Sequence, residues 1–253
     1  MYPQNNTPQD VQAPVAIIGC GVIGISWAAL FLHHGVNVRA WDPSPVARNA
    51  LSEKVKAPMA QLADMGHSAV TLGNLSVFTE MSAALSGVLF AQENAPEEID
   101  LKHEIYHNFE FFAGSQALMA SSASGLPWSS LSAKMSEPER LLTAHPFNPP
   151  HLVPLVEMYS PSDAVLEWAE RVYCQIGRVP IRMKREAIGH IANRLSSALW
   201  REAVNIVVEG IADVEAVDLA LVNGPGLRWA VTGAHMNYHL GGGEGGMTQY
   251  LRH

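Results

Sequence analysis

Val15-Ala16-Ile17-Ile18-Gly19-Cys20-Gly21-Val22-Ile23-Gly24 decides the fold. A short apolar run breaks into three glycines spaced Gly-x-Gly-x-x-Gly, and Ile25 to His34 continues as an apolar helical pattern. Strand, Gly-rich turn and helix thus follow in order. Gly35 stops the helix, Val36 to Trp41 reads as a second strand, and Asp42 stands at its end before the turn Pro43-Ser44-Pro45. One βαβ unit is complete.

This spacing has a chemical meaning. Gly19 permits a tight turn, Gly21 lets the backbone approach a pyrophosphate, and Gly24 lets the helix pack close to the strand. The free N–H groups where the helix begins, at Val22 and Ile23, then face the phosphates. Asp42 follows at about the 20-residue distance of the acid that hydrogen-bonds an adenosine ribose. A carboxylate there repels a 2′-phosphate, so NAD is favoured over NADP. Taken alone, the glycines also suit an ordinary turn and Asp42 a solvated turn acid. The ordered strand, turn, helix and acid favour the dinucleotide.

The alternation continues. Leu51 to Met65 is patterned as a helix, Leu75 to Phe78 as a strand, and Val88 to Gln92 as an apolar run ending at Glu93. Asp100 to Phe112 is helical, Leu118 to Ser121 a strand, and Ser122-Ala123-Ser124-Gly125 the loop after it. Strands at Leu141 to Ala144, Val153 to Glu157 and Val179 to Met183 follow, with a helix at Val165 to Ile176. The fold class is α/β, a Rossmann-type doubly wound parallel sheet with helices on both faces. From Ala187 the pattern turns wholly helical: Ile188 to Val208, then Val214 to Val222 capped by Asp213. The expected organisation is a disordered tail over 1–13, a dinucleotide-binding domain over 14–187 and a smaller helical domain over 188–253.

Composition limits the function. The chain has 253 residues, 48% of them hydrophobic, enough for one large domain plus a small one. A net charge of −8 argues against a nucleic-acid partner or an anionic membrane. Cys20 and Cys174 lie far apart without metal-ligand spacing, so no metal or disulfide framework is expected and a reducing, cytoplasmic setting fits. The polar start is no signal peptide, and no apolar stretch reaches the roughly 20 residues of a membrane span.

In an open sheet the ligand lies beyond the carboxyl ends of the strands. Ser124, His145 and Glu157 all fall at or just past strand ends. His145 is a candidate general base, and Glu157 could hold one ring nitrogen so that the other accepts a substrate proton. On residue type alone, a His before a Pro is as readily a turn residue and a strand-end Glu as readily solvated.

Gly19 to Gly24, Gln92-Glu93-Asn94, Ser121 to Ser124, His145-Pro146-Phe147-Asn148-Pro149, Val156-Glu157 and Asn193-Arg194-Leu195 together resemble the 3-hydroxyacyl-CoA dehydrogenase family. The resemblance runs from Pro14 to the last residue. It implies that His145 and Glu157 form a catalytic pair, that Ser124 and Asn193 bind the substrate oxygen, and that Glu93 and Lys102 contact the NAD cofactor across a segment with an apparent insertion. It further implies a homodimer. The family's second domain usually continues beyond the Gly-rich stretch ending at Met247, so the chain reads as truncated or a short variant.

Gly226-Leu227-Arg228-Trp229, Tyr238 to Met247 and Ala198 to Ala203 are similar to the L-carnitine dehydrogenase branch of that family. Acyl-CoA relatives usually place several lysines after the second strand, where only Lys54 and Lys56 occur. A small free acid is the expected substrate, with Phe147, Trp229 and Tyr238 as candidates for a quaternary ammonium and Arg228 (or Arg194, Arg201) for a carboxylate. These aromatics equally suit a core, and the arginines a solvated face. Action on L-gulonate or a 3-hydroxyacyl-CoA, or a non-catalytic, crystallin-like NAD-binding role, remains open.

Overall fold

The computed structural model describes residues 13–66 and 71–252. The tail expected over 1–13 lies outside them except for Ala13. The chain forms two compact units that divide between Ile191 and Ala192.

The first unit is built on an eight-stranded sheet. Its strands are β1 (Val15–Ile18), β2 (Val38–Trp41), β3 (Leu75–Phe78), β4 (Phe90–Glu93), β5 (Leu118–Ser121), β6 (Leu141–Pro146), β7 (Leu155–Tyr159) and β8 (Val179–Arg182). They lie in the order β3-β2-β1-β4-β5-β6-β7-β8, which reverses at β1 and so opens a crevice beside its carboxyl end. The helices are α1 (Val22–His33), α2 (Pro45–Lys54), α3 (Lys56–Asp64), α4 (Met81–Leu85), α5 (Ile99–Phe112), α6 (Trp128–Leu131) and α7 (Asp163–Gln175). β1 is buried on both faces: Val15 and Ile17 enter one core with Trp27, Phe31 and Tyr173, while Ala16 and Ile18 enter another with Tyr106 and Phe109.

Three differences from the sequence reading have local causes. Pro43-Ser44-Pro45 is a helix start as well as a turn, because the Ser44 side chain accepts from the Ala47 N–H and Pro45 suits the first helical position. The single helix expected over Leu51 to Met65 is two, divided at Val55. Pro58 explains the break, since it has no N–H for the Lys54 carbonyl and its ring crowds that group. The third difference concerns strand direction: β7 runs antiparallel to β6, although every other pair in the sheet is parallel. No helix separates β6 from β7, so no crossover is available to make them parallel.

The second unit contains α8 (Ala192–Val208), α9 (Val214–Asn223), α10 (Pro225–Thr232), α11 (Ala234–Gly241) and α12 (Gly246–Tyr250). Asp213 caps α9 through the Ala216 N–H. The expected start of α8 at Ile188 moves to Ala192 because His190 adopts a left-handed backbone, φ 50°, which no α-helix can include. Among the described residues no helix is long and apolar enough to cross a membrane.

Candidate active site

The turn after β1 has the shape required by its glycines. Gly19 has φ 91°, and a side chain there would sit 2.9 Å from the Asn94 carbonyl carbon; one on Gly24 would run into the Gly19 carbonyl. At Gly21, by contrast, a Cβ would meet nothing within 4 Å. Gly21 also gives α1 no side-chain cap, which leaves the N–H groups of Val22 and Ile23 for an anion.

Asp42 closes this end. Its carboxylate accepts from the Cys20 N–H at 2.7 Å and the Ser44 N–H at 2.8 Å, one bond per oxygen. Each oxygen keeps a lone pair for a ribose hydroxyl. The open turn, uncapped helix and placed carboxylate together fit a dinucleotide. Burial, then Asp42, push the Cys20 thiol up to about 12, only partly opposed by Arg48. Cys20 is therefore a packing residue rather than a nucleophile.

Glu93 and Lys102 form a buried ion pair, 2.6 Å apart. Glu93 also accepts from the Ala95 N–H and the Tyr106 and Ser121 hydroxyls, while Lys102 donates to the Ala95 carbonyl. Both charged heads are thus engaged in holding the start of the loop between β4 and α5. That loop is the one against which Gly19 packs.

His145 and Glu157 are direct partners across the antiparallel β6–β7 pair. This explains their twelve-residue spacing, since the chain turns back between them and faces one side chain with the other. His145 Nδ1 lies 2.9 Å from Glu157 Oε2, and both residues are buried. The second carboxylate oxygen accepts from the Ile191 N–H at 2.7 Å. An ionised Glu157 holds the ring proton on Nδ1 and leaves Nε2 as the acceptor. The segment after β6 is anchored by His151, whose N–H and ring meet Ser26, with Gln61 on its other nitrogen.

Two further residues enter the site that sequence reasoning did not single out. The His190 ring stacks on His145 with centroids 4.6 Å apart, and its Nδ1 lies 3.2 Å from the Ser124 carbonyl. Burial, then His145, lower its pKa from the ordinary value. Glu97 reaches the Ser124 loop: one oxygen accepts from the backbone N–H groups of Ser124, Gly125 and Leu126, the other from the Ser124 hydroxyl at 2.8 Å. Burial alone would raise the Glu97 pKa, but these donors outweigh it and bring it below the usual value. The available signals were weak: Glu97 stands in the inserted segment, and His190 follows Gly189 where a helix was expected to have begun.

The first unit therefore brings together Ser124, His145 and Glu157, with Phe147 just beyond β6. Asn193 belongs to the second unit, in the first turn of α8. Arg228 and Trp229 lie on α10 and Tyr238 on α11, where the Tyr238 ring packs on Tyr250 at 5.0 Å.

Comparison with known proteins agrees with this geometry. The model of the 3-hydroxyacyl-CoA dehydrogenase NAD-binding domain matches residues 14–187, and that of the C-terminal domain matches residues 189–253. The chain belongs to the 3-hydroxyacyl-CoA dehydrogenase family. It is an NAD-dependent oxidoreductase that oxidises a CH–OH carbon of a 3-hydroxy acid. It is 42% identical to an L-carnitine dehydrogenase of Streptomyces griseus over 97% of this chain and 74% of that one. An L-carnitine dehydrogenase of Pseudomonas putida is 37% identical over 93% of this chain and 75% of its own. Among solved structures, a 5-formyl-3-hydroxy-2-methylpyridine 4-carboxylic acid 5-dehydrogenase, an NAD-dependent dismutase, superposes with a TM-score of 0.87 at 29% identity, covering 94% of this chain and 78% of that one. FadB2 of Mycobacterium tuberculosis gives 0.74 at 25% identity, covering 83% and 77%.

Proposed function

We propose that this chain oxidises L-carnitine to 3-dehydrocarnitine, with His145 as general base. The observation that carries the substrate is the set of L-carnitine dehydrogenases at 37–42% identity over nearly the whole chain. His145 Nε2 removes the hydroxyl proton, and Glu157 steadies the imidazolium through Nδ1. Ser124 and Asn193 hold the oxygen as it becomes a carbonyl. Bound NAD would supply the hydride acceptor. Gly19 to Gly24 and Asp42 bind the dinucleotide, while Glu93 and Lys102 act on it by bracing the Asn94–Glu97 loop.

Phe147, Trp229 and Tyr238 are proposed to offer aromatic faces to the trimethylammonium, and Arg228 to take the carboxylate. A CoA thioester is disfavoured because only Lys54 and Lys56 stand in the helical stretch after β2 to meet its phosphates. The working form is a cytoplasmic homodimer: within the second unit α8 to α11 contain no buried residue, and Trp200, Val204, Val208 and Val214 line an apolar groove suited to a second copy.

NADH formation with L-carnitine, L-gulonate and 3-hydroxybutyryl-CoA tests the substrate. Carnitine should be turned over with by far the highest kcat/KM. Turnover of the thioester or gulonate with carnitine inert would reject the assignment.

A further inference from the structure

We propose that His190 is a positioning residue that acts through His145: its neutral ring is the face against which the imidazolium of His145 rests once that base has taken the substrate proton. The proposal rests on the reading of His145 as general base.

The two rings stack with centroids 4.6 Å apart and planes 22° from parallel. That is within the distance at which a cation is held over an aromatic face. Each ring is oriented through Nδ1 by a group that only accepts, His145 by Glu157 Oε2 at 2.9 Å and His190 by the Ser124 carbonyl at 3.2 Å. Each neutral ring therefore carries its proton on Nδ1. The acceptors differ in what they support. A carboxylate stabilises a second proton on its ring by its charge, while a neutral carbonyl does so weakly. The substrate proton accordingly stays on His145, and His190 remains an uncharged ring against it.

The surroundings of His190 preserve that state. The ring is buried, and His145, Glu157 and Glu97 are the titratable groups that act on it. Burial, then His145, lower its pKa, and the two carboxylates and the Ser124 carbonyl oppose this only in part. The backbone is held as well. A φ of 50° is a left-handed conformation that a residue with a side chain keeps only where its neighbours fix it. Here the next residue, Ile191, gives its N–H to Glu157 Oε1 at 2.7 Å. Glu157 thus holds His145 with one oxygen and, with the other, the backbone that places His190 on it.

The test replaces His190 by Phe, by Leu and by pentafluorophenylalanine. All three fill the space, exclude water and lose the bond to Ser124, so they differ mainly in the face that they offer His145. NADH formation is followed across pH with whichever of L-carnitine, L-gulonate and 3-hydroxybutyryl-CoA gives the highest kcat/KM, and NAD affinity is measured alongside. His190→Leu and the fluorinated ring should have a kcat roughly two- to thirtyfold below that of His190→Phe, the scale of one cation–π contact. The acid limb of kcat/KM should also move to lower pH by about half a unit or more relative to His190→Phe, because His145 then holds its proton less firmly. NAD affinity should be alike in all three. Equal kcat in the three variants, or a loss with the acid limb unmoved, reduces His190 to packing and overturns the proposal while the base reading stands. If His190→Leu fails to fold, the two aromatic rings, alike in shape, decide the matter. Near-normal turnover by His145→Gln overturns the base reading and the proposal together.

Discussion

Replacing Glu157 with Gln changes one atom in a buried carboxylate and tests the reading of the His145 pair directly. The amide has two orientations. In one, its oxygen keeps the Ile191 N–H, now 2.7 Å from the carboxylate, and its NH₂ faces His145 Nδ1. The ring must then carry its proton on Nε2, which can no longer accept from substrate. In the other, the amide oxygen faces Nδ1–H and the tautomer is right, but two buried N–H donors oppose each other at Ile191. That arrangement costs about 1–3 kcal/mol, so the competent orientation is the minor one. It also lacks the charge-assisted bond to the imidazolium, worth about 1.5–3 kcal/mol. Together the two losses make about 2.5–6 kcal/mol, or a fall in kcat of roughly a hundredfold to ten-thousandfold. The assay is steady-state NADH formation at saturating substrate, with NAD affinity followed by tryptophan fluorescence and expected to stay as in wild type. A kcat within about fivefold of wild type would refute the pairing, as would a loss carried entirely by weaker NAD binding.

Other expectations concern the cofactor, pH and assembly. Asp42→Ala should narrow the preference for NAD over NADP in titration; a preference unchanged by the substitution would remove Asp42 from ribose recognition. Because burial and His145 lower the folded-state pKa of His190 from 6.5, the unfolded chain binds that proton more readily. Stability from this group is present above about pH 6.5 and is lost as pH falls below it, so His190→Phe should flatten the decline of Tm between pH 7 and 5.5. An identical decline in both proteins contradicts this. Val204→Asp, in the apolar groove of the second unit, should convert a dimer into a monomer by light scattering, whereas an unchanged mass places the contact elsewhere.

The elements legible in the sequence were those whose signal is local. Val15 to Ile18, Leu75 to Phe78 and Leu118 to Ser121 each match a strand end for end, because a short apolar run bounded by turn residues is a sufficient sign. The helix break at Val55 depended on a Pro that acts through a carbonyl four residues earlier, so a pattern of apolar spacing passed over it. In the site, the sequence reading put Ser124, His145 and Glu157 at or just past strand ends; Ser124 follows β5 by three residues and His145 lies near the end of β6, but Glu157 is the middle residue of β7, because that strand begins at Leu155 and continues to Tyr159. Glu97 and His190 escaped because their partners are distant in sequence: Glu97 meets residues 124–126, and His190 meets His145 and Ser124. Nothing within a few residues of either announces such contacts.

Three glutamates near the site have different partners, and the partner decides what each can do. Glu93 faces Lys102 in a buried ion pair. Removing either member would leave an uncompensated buried charge, so the pair holds its loop whatever it does for the cofactor. Glu157 faces His145, which gains its charge only when it takes a proton. On the proposed mechanism the carboxylate is better satisfied after proton removal than before, and that difference is the form of stabilisation that lowers a barrier rather than merely tightening binding. Glu97 faces only neutral donors, the Ser124 hydroxyl and the backbone N–H groups of Ser124, Gly125 and Leu126. A basic partner that is charged at rest suits a strut, and one that gains its charge during turnover suits the proposed catalytic pair.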